Sequence, residues 1–132
     1  MLSRPAGDAV NRLALVAGAA LAGLAVALGA FGAHALKAWL SPQALGWWET
    51  AVQYQMWHAL GLILAGALPR PRLGLPAALL GAGTLLFSGS LYLMALTDLR
   101  WLGAVTPLGG AAMIAGWALL AWRVRLDPDR SP

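Results

Sequence analysis

The sequence predicts an all-α integral membrane protein built as a four-helix bundle, and three observations predict it. First, the 132 residues are 60% hydrophobic and 11% charged, whereas a soluble domain is about 45–50% apolar and about 25% charged. Second, mean hydropathy is +0.69, and a globule of this size has too little interior to hide that much apolar surface. Third, the charges divide the chain into uncharged blocks at 13–36, 50–69, 73–97 and 101–122. Each block reaches the roughly 20 residues a helix needs to cross a hydrocarbon layer of about 30 Å. None alternates with a period of two, as a barrel strand would. A single transmembrane domain over 1–132 is expected, with helices at about 13–36, 42–69, 73–97 and 101–124 and short polar ends.

The same figures exclude other classes. Disorder requires low hydrophobicity and high charge, the reverse of what is present. The chain has no cysteine, which removes disulfides, thiol catalysis, thiolate zinc sites and cysteine-held iron–sulfur clusters. The formal net charge of +4 sits in short flanks around apolar blocks and forms no basic stripe. It therefore reads as a topology signal and not as a nucleic-acid surface.

In the first block, Arg4 and Arg12 precede an apolar run ending in Ala33-His34-Ala35, a small-x-small pattern like a signal-peptidase site. Its 24 uncharged residues exceed the 7 to 15 of a signal-peptide core, so an uncleaved span is expected. Ala25, Gly29 and Ala33 recur at every fourth position with Gly32 beside them, a spacing that lets helix backbones approach closely. Ser41-Pro42 gives the second helix an N-cap and a proline at its first position. That helix starts about two turns outside the membrane and ends before the turn Pro69-Arg70-Pro71-Arg72, because proline cannot continue a helix. Asp98 and Arg100 close the third helix. For the fourth, two starts stand open: a helix beginning at Thr106-Pro107 after an apolar stretch at 99–105, or one beginning near Arg100 and kinking at Pro107. Trp39, Trp47, Trp48 and Trp101 are expected at the outer interface and Trp122 at the inner one. Asp127, Asp129 and Arg130 belong to a polar tail.

With four spans, Arg4, Arg12, Arg70, Arg72, Arg123, Arg125 and Arg130 share one side of the membrane, against Lys37 and Arg100 on the other. The positive-inside rule then places both termini in the cytoplasm. On this orientation the polar residues gather in the outer half: His34 on the first helix, Gln53, Gln55 and His58 on the second, Ser88, Ser90, Tyr92 and Thr97 on the third, and Thr106 on the fourth. Thr84 lies near mid-depth. A polar side chain within hydrocarbon is costly and faces the bundle interior or a wet cavity, so each is a functional-site candidate. The plainer reading is that hydroxyls and amides hydrogen-bond one helix to the next, and for Ser and Thr it is the favoured one. At 100° per residue, Ala51, Gln55, His58 and Leu62 share one side of the second helix, and Gly81, Thr84, Ser88, Tyr92 and Ala95 form a small and polar stripe on the third. These two stripes are suited to face each other.

Four strings stand in order along the chain: GAFGAHAL at 29–36, TAVQYQMWHALGL at 50–62, LFSGSLYLMAL at 86–96, and TPLGG at 106–110 followed by Gly116-Trp117. Together they resemble the YgdD-like family of small bacterial inner-membrane proteins, a domain of unknown function. The resemblance touches all four helices and implies a multi-pass plasma-membrane protein. It supplies no catalytic assignment. The strings and the polar residues coincide at His34, Gln55, His58, Ser88, Ser90, Tyr92 and Thr106, the candidate cluster. Gly29, Gly32, Gly61, Gly81, Gly89, Gly109 and Gly110 are the expected helix-packing positions.

The first functional reading is a non-enzymatic protein that packs with itself, with a membrane-protein partner or with membrane lipids, its polar cluster acting as interhelical glue. No acid–base pair, nucleophile motif or phosphate loop is present, and neither a cofactor, a metal nor nucleic acid is expected. The alternative is a small solute or proton transporter that uses His34 and His58. A third reading is b-type haem held by the same two histidines. Depth opposes it: His58 lies eight residues inside the boundary at residue 50, about 12 Å, while His34 is near the surface.

Overall fold

The computed structural model describes residues 6–68 and 72–126, with side chains from Arg12 on. Arg4, the Pro69–Pro71 part of the expected turn, and the tail with Asp127, Asp129 and Arg130 lie outside these residues. Four helices carry the chain: α1 (Ala6–His34), α2 (Pro42–Ala67), α3 (Gly74–Thr97) and α4 (Thr106–Leu126). Single 3₁₀ turns occupy Leu36–Ala38 and Arg100–Ala104, and no strand occurs among the described residues.

Each connection follows from local chemistry. Ser41 Oγ accepts from Ala44 N–H at 3.1 Å and Pro42 takes the first helical position, so α2 begins where its cap and its missing N–H agree. α3 ends when Asp98 turns left-handed at φ 56°, its N–H closing on Met94 O at 2.9 Å. Asp tolerates this region better than most side chains. Arg100 secures the corner: its Nε lies 3.4 Å from Asp98 Oδ1, and Nη2 lies 3.3 Å from Gln43 Oε1 at the start of α2. The start of the fourth helix is decided in favour of Thr106, so the expected boundary at 101 is too early. Pro107 does not kink α4; it occupies the second position, where no intrahelical N–H is required. The apolar stretch before it is the 3₁₀ turn, which buries Leu102 among Ala51, Leu91 and Met94.

α1 packs on α2, α2 on α3 and α3 on α4, while α1 touches α3 only slightly. α2 and α3 are thus central, and α1 and α4 flank them. Large apolar side chains face outward along the helices: Leu13 is 69% exposed, Leu85 65% and Ile114 72%, the inside-out pattern of a protein whose solvent is lipid.

Three stretches, in α1, in α3 and at Arg100–Leu126, are long and apolar enough to cross a membrane. α2 has the length, at 26 residues, but is not among them, where the sequence led us to expect four. The reason is its composition. α2 carries Glu49, Gln53, Gln55 and His58, and its Gln55 and His58 are buried against neighbouring helices. A helix shielded by protein can be less apolar than one that faces lipid.

The helices come together at glycines. A Cβ on Gly83 would stand 2.8 Å from Gly109 O, and one on Gly109 would stand 2.7 Å from Gly83 O and against Phe87 N, so the α3 and α4 backbones touch there. A Cβ on Gly18 would meet Ala59 O at 2.7 Å, the corresponding contact between α1 and α2.

Candidate functional site

The candidate residues resolve into three separate joints between helices. The first binds α1, α2 and α3. Gln55, buried on α2, donates through Nε2 to Leu21 O on α1 at 2.9 Å and accepts at Oε1 from the Tyr92 hydroxyl of α3 at 2.7 Å. One turn along the same interface, Ser88 Oγ donates to Ala51 O at 2.7 Å. The two stripes read from the sequence do face each other here. A helical carbonyl already holds one backbone hydrogen bond, and its second lone pair is what Gln55 and Ser88 use.

The second joint links α3 to α4. The Ser90 and Thr106 hydroxyls share a hydrogen bond at 2.7 Å, and each also has a carbonyl acceptor on its own side, Phe87 O at 2.9 Å for Ser90 and Leu102 O at 3.3 Å for Thr106. Thr84 lies deeper on the same interface and turns back on its own helix, donating to Leu80 O at 2.7 Å.

The third joint links α2 to α4 through His58. Trp117 Nε1–H donates to His58 Nε2 at 3.1 Å, and His58 Nδ1 lies 2.7 Å from Tyr54 O. Indole nitrogen is a donor only, so Nε2 carries the lone pair and the ring proton sits on Nδ1, pointing at Tyr54 O. Both nitrogens of His58 are therefore engaged.

His34 takes no part in these joints. It ends α1 and is exposed. Because Gly32 of α1 meets Trp48 of α2 and the two helices run antiparallel, His58 lies about twelve residues beyond the His34 level, about 18 Å along α2. That separation is too large for one iron to bridge.

Two tryptophans complete the site, and sequence reasoning gave neither its role. Trp48 was expected in the interfacial belt; it is 4% exposed, and its Nε1–H donates to Leu28 O of α1 at 2.9 Å. Its ring lies where a Cβ on Gly32 would be, 2.6 Å from the indole, and its centroid is 4.6 Å from the Tyr92 ring. Trp117 repeats the device on the other side of α2, crossing Gly61, whose Cβ would stand 2.8 Å from it. In both cases a glycine admits the indole body while the N–H finds an acceptor. The usable signal was pairing: Gly32 and Gly61 are the bare positions that an indole needs. Trp39 at 85% exposed, Trp101 at 65% and Trp122 at 54% do lie on the surface near helix ends.

Among the packing glycines, Gly29, Gly32, Gly61 and Gly109 sit against neighbours within 3.2 Å of a built Cβ. Gly81 and Gly110 have ordinary clearance, and Gly89 faces open space. Gly18, Gly83 and Gly116 make close contacts as well. Among the described residues, no group of three or more His, Cys, Asp or Glu is placed to hold a metal.

Residues 28–110, which contain His34, Gln55, His58, Ser88, Ser90, Tyr92 and Thr106, match the family described as "Protein of unknown function (DUF423)". The chain belongs to the DUF423 family. It is 46% identical over 112 residues to the UPF0382 membrane protein of Staphylococcus haemolyticus, covering 83% of this chain and 92% of that one. It is 45% identical over 111 residues to the UPF0382 membrane protein YwdK of Bacillus subtilis, with 80% and 90% covered. Over 115 residues it is 43% identical to the UPF0382 inner membrane protein YgdD of Escherichia coli, with 83% and 87% covered. The resemblance read from the four strings therefore holds, and this DUF423 protein is a multi-pass protein of the plasma membrane. No solved structure matches it.

Proposed function

We propose that this DUF423 protein is a non-enzymatic membrane protein that acts by packing, with a second copy, another membrane protein or lipid. On this reading the buried polar side chains hold its own helices in register, and both termini face the cytoplasm. One observation carries it: among the described residues, every buried side-chain nitrogen and oxygen has a hydrogen-bond partner. A transport site needs polar groups free to bind a solute, whereas Gln55, Ser88, Tyr92 and His58 spend theirs on neighbouring helices. Such bonds are worth about 0.6–2 kcal/mol each in a membrane bundle, enough in sum to fix one arrangement of helices that lipid alone would not select. The charge distribution supports the orientation, with seven Lys and Arg on one side and two on the other.

Reconstitution in proteoliposomes tests the reading. Ion and solute flux should stay at the level of empty vesicles with and without a pH gradient, and the purified protein should show no Soret band. Flux above background that is lost in His58→Ala would establish the transporter instead.

A further inference from the structure

The joints fill one end of the molecule, but at the other end α1 and α3 separate and leave an open apolar groove of about 400 Å³. Leu13 and Ala17 of α1 form one wall, Ala78 and Ala82 of α3 the other, and Leu62 of α2 the floor. Apart from Leu85 at its far end, the α3 wall of the groove is built from Gly and Ala, whose short side chains leave the slot open. Its lining has almost no polar surface.

Length and charge say what fits. On α3 the groove runs from Gly74 to Leu85, about 16 Å at 1.5 Å per residue, which is close to half of a hydrocarbon layer of about 30 Å. It therefore spans one leaflet, the depth of a single acyl chain. At its mouth Leu13 is preceded by Arg12, and Gly74 stands two residues after Arg72; both arginines are exposed. Arg123 of α4 donates to the Arg72 carbonyl and holds that corner in place. An apolar slot of leaflet depth, with an exposed arginine next to the end of each helical wall, matches an anionic glycerophospholipid with one chain in the slot and its headgroup at the arginines. Arginine suits this task because its planar fork binds phosphate oxygens in pairs. Basic pockets between membrane helices take anionic headgroups on the same grounds.

We infer that this groove is a binding site for an anionic phospholipid, with Arg12 and Arg72 reading the net negative charge of its headgroup. The inference rests on the helices crossing a bilayer, not on which side the termini face. In lipid the aliphatic slot gains little by apolarity alone, since every tail offers the same, so selectivity must come from the headgroup. A second copy of the chain is the rival occupant; the basic mouth argues against it, because two such ends would bring four arginines together.

Native mass spectrometry of the detergent-purified full chain tests this, with phosphatidylglycerol and phosphatidylcholine of identical acyl chains added in turn. The expected result is a phosphatidylglycerol adduct favoured about five- to tenfold, and a fall to the phosphatidylcholine level in the Arg12→Gln, Arg72→Gln double variant. Arg125→Gln, whose guanidinium lies over the Trp122 ring 6.0 Å away, should keep the preference. Ala82→Leu, which fills the slot and leaves both arginines, should weaken retention of the adduct. Melting temperatures of all variants should match the wild type, so that lost binding is not lost folding. Equal retention of the two lipids overturns the inference, as does a preference that survives the double variant. A dimer that Ala82→Leu dissolves, in place of a lipid adduct, would overturn it too and assign the groove to a second copy. None of these outcomes alters the flux measurement above.

Discussion

The two ends of this DUF423 protein solve the same problem in different ways. At the end that carries the candidate residues, helices are held by side-chain hydrogen bonds, and two indoles cross bare glycines. At the end that carries the arginines, Ala14, Leu62, Ala65, Ala77 and Leu80 form an aliphatic core, and an open groove lies between α1 and α3. The difference is instructive because apolar side chains have no preference for one another over lipid tails. Only close backbone approach or a polar bond can make one helix pair better than another. Where polar bonds join its helices, the interior is filled, and where aliphatic contacts stand without them, beside the close approach of Gly18 to α2, a groove opens.

The comparison breaks first at the glycine contacts. Gly109→Val should be the most damaging single change, because a Cβ there meets the Phe87 N and Gly83 O backbone atoms. Overpacking costs about 1–3 kcal/mol where side chains can yield, and these atoms cannot, so we expect loss of folded protein in a detergent-solubility assay. Gly89→Ala, in open space, should be neutral or gain up to about 1 kcal/mol from helix propensity. Ala82→Leu, in the groove, should stay within about 0.5 kcal/mol.

Next comes the first joint. Gln55→Leu removes bonds to both Leu21 O and Tyr92 and should lower stability by about 1–3 kcal/mol; Tyr92→Phe removes one and should cost about 0.6–2 kcal/mol. Because the two share a bond, the double variant should cost less than the sum, which a double-mutant cycle of thermal unfolding in detergent will read. Additive losses would mean that the bond contributes nothing. Trp117→Phe should have a smaller effect, about 1 kcal/mol, since it keeps an aromatic ring over Gly61 and forfeits only the N–H to His58.

Much of this was legible in the sequence. Charge spacing marks four helical blocks, Ser41-Pro42 marks the start of α2, and helical periodicity pairs the Gln55 side of α2 with the Ser88 and Tyr92 stripe of α3. What could not be read depends on neighbours distant in the chain. Trp48 looks like a belt residue from position alone; it is buried because Gly32, sixteen residues earlier, leaves a hole for its indole. Trp117 reaches His58 across fifty-nine residues, and no local pattern reports that. His34 shows the converse error: outer-half depth groups it with Gln55 and His58, but depth along a helix carries no information about which face a residue occupies. The start of α4 was undecided because Thr106-Pro107 permits a helix to begin without forbidding one that began earlier.

The central claim is that the buried polar side chains, Gln55, His58, Thr84, Ser88 and Ser90, are sealed between helices and line no water path. The chain has no cysteine of its own, so single-cysteine variants report accessibility without background. Lys37→Cys, in the exposed turn after α1, should react with a membrane-impermeant maleimide in the folded protein, while Ser88→Cys and Thr84→Cys should react only after unfolding. Labelling of Ser88→Cys at the rate of Lys37→Cys would contradict the claim and reveal an aqueous cavity where the account places packed side chains.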